Sequence, residues 1–248
     1  MYFPTYWARG RAGSASCWRW SDISLAEAQR DADARAIELE RLFASGERLD
    51  RYGYSDRPVR EEVLEQHAGV AITRNVYGAQ ILNAEHAMFV DIDFADDPSR
   101  EAPALAKLRT WATGHGLATR VYRTAAGLRA LVTSQGFDPK ADATGALLRE
   151  VGCDPLYIRL CQVQASFRAR LTAKPWRIAM RPPGVRWPFD VPEAAERFQT
   201  WLASYEAASQ AVVACRFVEA IGPATVDPAI APVLALHDAR ACGTLRLA

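Results

Sequence analysis

The spacing of hydrophobic and polar positions changes several times along the chain, and each change marks an element. Two short aromatic alternations, at 6–9 and 17–20, predict a pair of strands joined by a flexible turn, with Trp18 and Trp20 on one strand face. Ser24 followed by Glu27 forms the pattern of a capping box and opens a helix. Ile37, Leu39, Leu42 and Phe43 predict its apolar side, and Gly46 predicts its stop. Residues 46–68 are a polar connector with Arg-Tyr-Gly-Tyr at 51–54, Arg57-Pro58, and a short helix over 58–67. Strands follow at 70–74 and 80–83, with a turn between them. The strongest strand pattern is 87–94, followed by a polar turn at 95–99 and a helix over 102–114 with Pro103 in its first turn. Strands at 118–124 and 128–133 come next. Helices are predicted at 141–151 and 155–171, the second opened by Asp154-Pro155. A strand at 176–180 and a helical tail, roughly 192–220 and 228–242, complete the pattern.

Between 87 and 181 the order is strand, helix, strand, strand, helix, strand. That order predicts an α+β fold with a ferredoxin-like (RRM-like) split βαβ core. The expected organisation is an N-terminal hairpin and helical extension (1–68), the α+β core (69–186) and a helical C-terminal tail packed on it (187–248). The 248 residues are half hydrophobic and about a quarter charged, which excludes collagen-like, coiled-coil and largely disordered chains. No apolar run is long enough for a membrane span, no secretory signal pattern opens the chain, and the five cysteines form no CxxC. A cytoplasmic protein with reduced thiols and no membrane partner is therefore expected. The net charge of +1 argues against nucleic-acid binding through bulk charge alone. Only three of the 30 basic residues are lysine (Lys107, Lys140 and Lys174). The excess of arginine suits phosphate recognition, although codon bias accounts for most of such an excess in a chain rich in Ala, Arg and Gly.

The candidate chemistry centres on Phe89-Val90-Asp91-Ile92-Asp93-Phe94. Period two puts Asp91 and Asp93 on one strand face, where two carboxylates repel unless a cation lies between them. Mg²⁺ or Mn²⁺ with substrate phosphates fits that arrangement. The alternative places Asp93 in the polar turn with Asp96 and Asp97. Arg129 alternates with Leu128 and Ala130 and should share an open sheet face with the Asp pair, either as a phosphate ligand or as a salt-bridge partner. Arg123 and Arg177, on neighbouring strands, could join it. Arg168, Arg170, Lys174 and Arg177 concentrate positive charge after the 155–171 helix, either complementing its C-terminus or forming a basic rim for a nucleic-acid strand.

Residues 87–135 resemble the catalytic core of the archaeo-eukaryotic primase (primase-polymerase) superfamily. Phe89–Phe94 matches that family's hydrophobic strand ending in acid-x-acid. Thr124-Ala125-Ala126-Gly127-Leu128-Arg129 matches in position its motif of a small hydroxyl residue, a glycine-containing turn and a phosphate-contacting His, with Arg129 replacing the His. Asp154 and Asp190 are candidates for the family's third acid. The resemblance implies nucleotidyl transfer with Asp91 and Asp93 as metal ligands, Asp91, Asp93 and Arg129 as catalytic residues, and Mg²⁺ or Mn²⁺ as cofactor. Arg123, Thr124, Gly127, Arg168, Lys174 and Arg177 would bind phosphate, and the partner would be a nucleotide or nucleic acid, DNA or RNA. The alternative is a nucleic-acid-binding module that keeps the sheet without the catalysis. A scaffold role using the Trp-rich N-terminus is a third reading.

Overall fold

The computed structural model describes residues 1–46, 58–94 and 97–248; the tyrosines of the 51–54 motif, Arg57 and Asp96 lie outside the described residues. The fold is mixed α+β. In chain order its elements are β1 (Tyr6–Ala12), β2 (Ala15–Ser21), α1 (Leu25–Ser45), β3 (Glu62–His67), β4 (Val70–Arg74), β5 (Gln80–Ala84) and β6 (Phe89–Asp93). Then come α2 (Glu101–Gly114), β7 (Thr119–Thr124), β8 (Gly127–Val132), α3 (Asp142–Val151), α4 (Pro155–Gln164) and β9 (Phe167–Arg170). The last are α5 (Pro192–Ser209), β10 (Val212–Val213), β11 (Cys215–Ile221), α6 (Ala231–Ala241) and β12 (Arg246–Leu247). No helix among the described residues is long and apolar enough to cross a membrane.

The chain divides into two compact units, one comprising Met1, Glu62–Gly184 and Gln199–Ala248, the other Tyr2–Glu61 and Val185–Phe198. These boundaries differ from the three consecutive segments expected. The tail from Gln199 onward belongs with the central strands, because it supplies β11 and α6 to them.

In the smaller unit β1 and β2 form an antiparallel hairpin, with Trp7 opposite Trp20 and Arg9 opposite Trp18. The Ser24 hydroxyl accepts from Glu27 N at 3.1 Å, while the Glu27 carboxylate turns to the Ser21 hydroxyl instead of closing the box. Helix α1 buries Ala28, Ala32 and Ala36, whereas Ile37 and Phe43 are exposed. The hairpin backbone approaches so closely that a Cβ on Gly10 would lie 2.0 Å from Ala32 O. Small residues four apart permit that approach, and large ones would not.

The larger unit holds two four-stranded antiparallel sheets, ordered β11-β7-β8-β6 and β3-β4-β5-β9. The first strand of the predicted core, β6, lies beside the third, β8, with Asp91 opposite Arg129 and Asp93 opposite Gly127. The neighbour of β7 is β11, which replaces the helix expected over 210–220. Three other expectations change. Residues 62–67 are a strand, because pairing with β4 overrides the helical propensity of Glu, Leu and Gln. The predicted 155–171 helix stops at Gln164, where Ala165 turns left-handed (φ 48°), and Phe167-Arg168-Ala169-Arg170 continues as β9 beside β5. The strand expected at 176–180 is a 3₁₀ turn, Pro175–Ile178, closed by Ala179 at φ 57°.

Both faces of the β6 sheet are covered. On one, Arg123 opposite Leu128 reaches Glu101 of α2, and α2 buries Leu108, Trp111 and Ala112. On the other, His237 of α6 packs between the rings of Phe89 (5.4 Å) and Tyr122 (4.7 Å).

Candidate phosphate and metal site

Asp91 and Arg129 are directly opposed on antiparallel strands, so their side chains share a face. They form no ion pair. The Arg129 guanidinium donates through Nη1 to Arg170 O (2.9 Å) and contacts His237 Nε2 (3.2 Å). Arg129 is 4% exposed, so the open face expected around it is closed by α6 at this point. Asp91 is half-buried, and among the described residues nothing donates to its carboxylate. Burial raises its carboxyl above the usual range, opposed by the charges of Arg129 and Arg170 and reinforced by those of Asp93 and Asp154. Asp93, further along the strand, is exposed.

A cationic group surrounds this pair. Burial, followed by the charge of Arg129, lowers the Arg170 guanidinium to about 10. Burial, followed by Arg170 and Arg177, lowers the Lys174 ammonium, while Asp93 and Asp91 act against that shift. Nε of Arg170 and Nη1 of Arg177 are buried and have no partner among the described residues. Buried guanidinium nitrogens without partners are costly, and an anion is one group that would satisfy them. The centre thus brings Asp91, Asp93, Arg129, Lys174 and Arg177 together, and adds Arg170.

Other expected site residues lie elsewhere. Arg123 is on the opposite sheet face, bonded to Glu101 at 2.9 Å, with its guanidinium over the Phe94 ring. Thr124 and Gly127 close the β7–β8 turn: the Thr124 hydroxyl accepts from Gly127 N (3.0 Å) and donates to Gly127 O (3.2 Å). Arg168 donates to Gln164 Oε1 at 2.7 Å, from the same β9 face that carries Arg170. Asp190 pairs with Arg9 and Arg11 in the smaller unit. Asp154 caps α4 by accepting from Leu156 N, and its own N donates to Asp91 O at 2.9 Å, so this acid does adjoin β6.

Asp91 and Asp93 supply the donor type that Mg²⁺ or Mn²⁺ takes together with phosphate oxygens and water. Among the described residues no group of three or more His, Cys, Asp or Glu side chains is placed to hold a metal ion. A two-carboxylate site completed by substrate oxygens remains compatible with the residues present.

Sequence reasoning missed Arg170 and His237 as members of this centre. The alternation Phe167-Arg168-Ala169-Arg170 carries the signal for the first. Nothing in the local sequence marks the second. His237 lies wholly buried among Arg129, Asp238, Tyr122, Phe89 and Cys215. Asp238 accepts from Tyr122 (2.6 Å) and Arg120 (3.0 Å) and contacts His237 Nδ1 at 3.1 Å.

Burial lowers the His237 imidazole from its ordinary 6.5, against the pull of Asp238. The unfolded chain therefore takes the proton first. This group's contribution to stability is complete above about pH 6.5 and is lost as pH falls below it. The Asp238 carboxyl is lowered from 3.8, so its contribution is lost only at more acidic pH. The expected result is a melting temperature that falls between pH 6.5 and 5, with a slope of at most about 1.4 kcal/mol per pH unit from this residue. His237→Gln should flatten that slope, as read by thermal melts across the range.

No family model, no curated protein and no solved structure matches this chain.

Proposed function

We propose that this centre handles phosphate in a divalent-metal-dependent enzyme of nucleotides or nucleic acid, with nucleotidyl transfer of the primase-polymerase kind as its reaction. One observation carries the reading: two carboxylates on one strand face lie among four cationic side chains, two of which have buried nitrogens without partners. Asp91 and Asp93 would hold Mg²⁺ or Mn²⁺, which supplies charge neutralisation at the transferred phosphate. Lys174, Arg170 and Arg177 would bind phosphate oxygens. The ferredoxin-like plan is supported by the order β6-α2-β7-β8 and by β6 lying beside β8. A cytoplasmic location accords with five free cysteines.

A second reading, a nucleic-acid-binding module without catalysis, is favoured by the placement of Arg129. It stands where the primase-polymerase motif has a phosphate-contacting His, but it lies beneath α6 and is tied to Arg170 O and His237.

Mn²⁺ titration followed by electron paramagnetic resonance, with a nucleoside triphosphate present, tests the first reading. Wild-type protein should bind the ion, and Asp91→Ala and Asp93→Ala should each weaken binding at least about tenfold. Wild-type affinity in both variants would overturn the metal site. Oligonucleotide binding with a salt slope but no response to Mn²⁺ would support the second reading.

A further inference from the structure

Beside the cationic group lies a feature that phosphate chemistry does not use. Trp176 is in the 3₁₀ turn between Lys174 and Arg177 and is 48% exposed. Tyr77, on the turn between β4 and β5, meets it edge-on with ring centroids 5.2 Å apart and is 42% exposed. The Lys174 ammonium is 5.5 Å from the Trp176 ring centroid.

The position of Tyr77 is built rather than incidental. Asn75 Oδ1 accepts from Tyr77 N (3.0 Å) and Ala79 N (3.1 Å), which fixes the turn. Gly78, at φ 85°, lies so close to Trp201 that a Cβ there would sit 2.3 Å from its ring. On the other side, Pro175 is buried and Ala179 closes the 3₁₀ turn, so Trp176 is presented by a fixed segment. Two adjacent exposed aromatic rings offer a surface on which a flat ring can pack.

We propose that Trp176 and Tyr77 form a seat for single-stranded nucleic acid, with a base stacked on Trp176 and the adjoining phosphates on Lys174 and Arg177. Charge complementarity selects this occupant. The aromatic face adjoins Lys174, Arg177 and Arg170, and two of those side chains have buried nitrogens without a partner among the described residues. An apolar partner would leave those cations unpaired. Both aromatic residues are exposed, which leaves surface for a base to reach. Stacking on aromatic rings combined with a basic track is how single strands are held without sequence preference. The inference rests on the phosphate-handling reading above and names its polymer.

The test uses the full chain and end-labelled oligothymidylates of two to twelve nucleotides, read by fluorescence anisotropy in EDTA. Affinity should rise with length and fall with salt. Trp176→Ala should weaken the twelve-mer about tenfold, and Trp176→Phe should recover most of that loss by keeping a stacking ring. Arg177→Ala should reduce the salt slope by about one. Thermal melts of each variant confirm that it folds.

Wild-type affinity in Trp176→Ala, thymidine triphosphate competing as well as the twelve-mer, or no binding of any oligonucleotide would each overturn the seat. Mn²⁺ binding by the wild type, measured separately, distinguishes the two proposals. Strand binding that needs Trp176 without any Mn²⁺ binding leaves the seat and removes the enzyme. Mn²⁺ binding with no effect of Trp176→Ala leaves the enzyme and removes the seat.

Discussion

Asp91→Asn is expected to lower nucleotide incorporation on a single-stranded template in Mn²⁺ by about 10²–10³-fold or more, while its melting temperature stays at or above that of the wild type. The first half follows from the proposed metal site. A carboxylate that neutralises charge at a transferred phosphate acts in the transition state, and removal of one such preorganised group costs about that factor. The second half follows from the environment of Asp91. Its carboxyl is raised by burial, and nothing among the described residues donates to it. Above the ordinary carboxylate range the folded protein therefore loses stability at this position, a loss that a neutral amide of the same shape relieves. A gain of 1 kcal/mol would raise the melting temperature by about 2–4 °C for a chain of this size. Loss of stability in parallel with activity would mean that Asp91 is structural, and unchanged incorporation would remove the catalytic role.

Gly127→Ala is expected to destabilise the protein by about 3 kcal/mol. Gly127 opens β8 opposite Asp93, and a Cβ there would lie 1.8 Å from Ile92 O. The obstacle is the backbone of the strand that carries the Asp pair, so no side-chain rotation relieves it. Either the β6–β8 ladder opens at this end or the strands separate. Urea unfolding would measure the loss. Gly114 supplies the contrast, because it is the last residue of α2 and has open space around it. Gly114→Ala should change stability by less than about 1 kcal/mol, in the stabilising direction. If both substitutions had equal effects, the close approach at Gly127 would not be what constrains that position.

The centre itself was partly legible. The alternation in Phe89–Phe94 placed Asp91 and Asp93 together, and the alternation in Leu128–Ala130 put Arg129 on the face away from Leu128 and Ala130. The ladder then set Asp91 opposite Arg129. The helix over 102–114 and the Asp154 cap were also readable, because period, N-cap chemistry and helix-ending glycines act within a few residues. Arg123 was misjudged although the same alternation puts it on the face of Leu128, away from the Asp pair. Arg170 was hidden by reading 155–171 as one helix. Leu, Gln, Ala and Arg favour helix locally, and the left-handed turn at Ala165 occurs at a residue that rarely adopts it.

By itself, the sequence determined the periods of β6, α2, β7 and β8, the Ser24 and Asp154 caps and the shared face of Asp91, Asp93 and Arg129, since these depend on backbone geometry over two to four residues. Only the tertiary structure decided what covers each face and which charges meet. Helix α6, more than a hundred residues after Arg129, closes the face expected to be open and sets His237 against the guanidinium. Strand β9 joins β5 across about 80 residues and thereby carries Arg170 to Asp91. Such pairings are chosen by burial and hydrogen bonding between distant segments. A local pattern restricts which segments can pair but does not select among them.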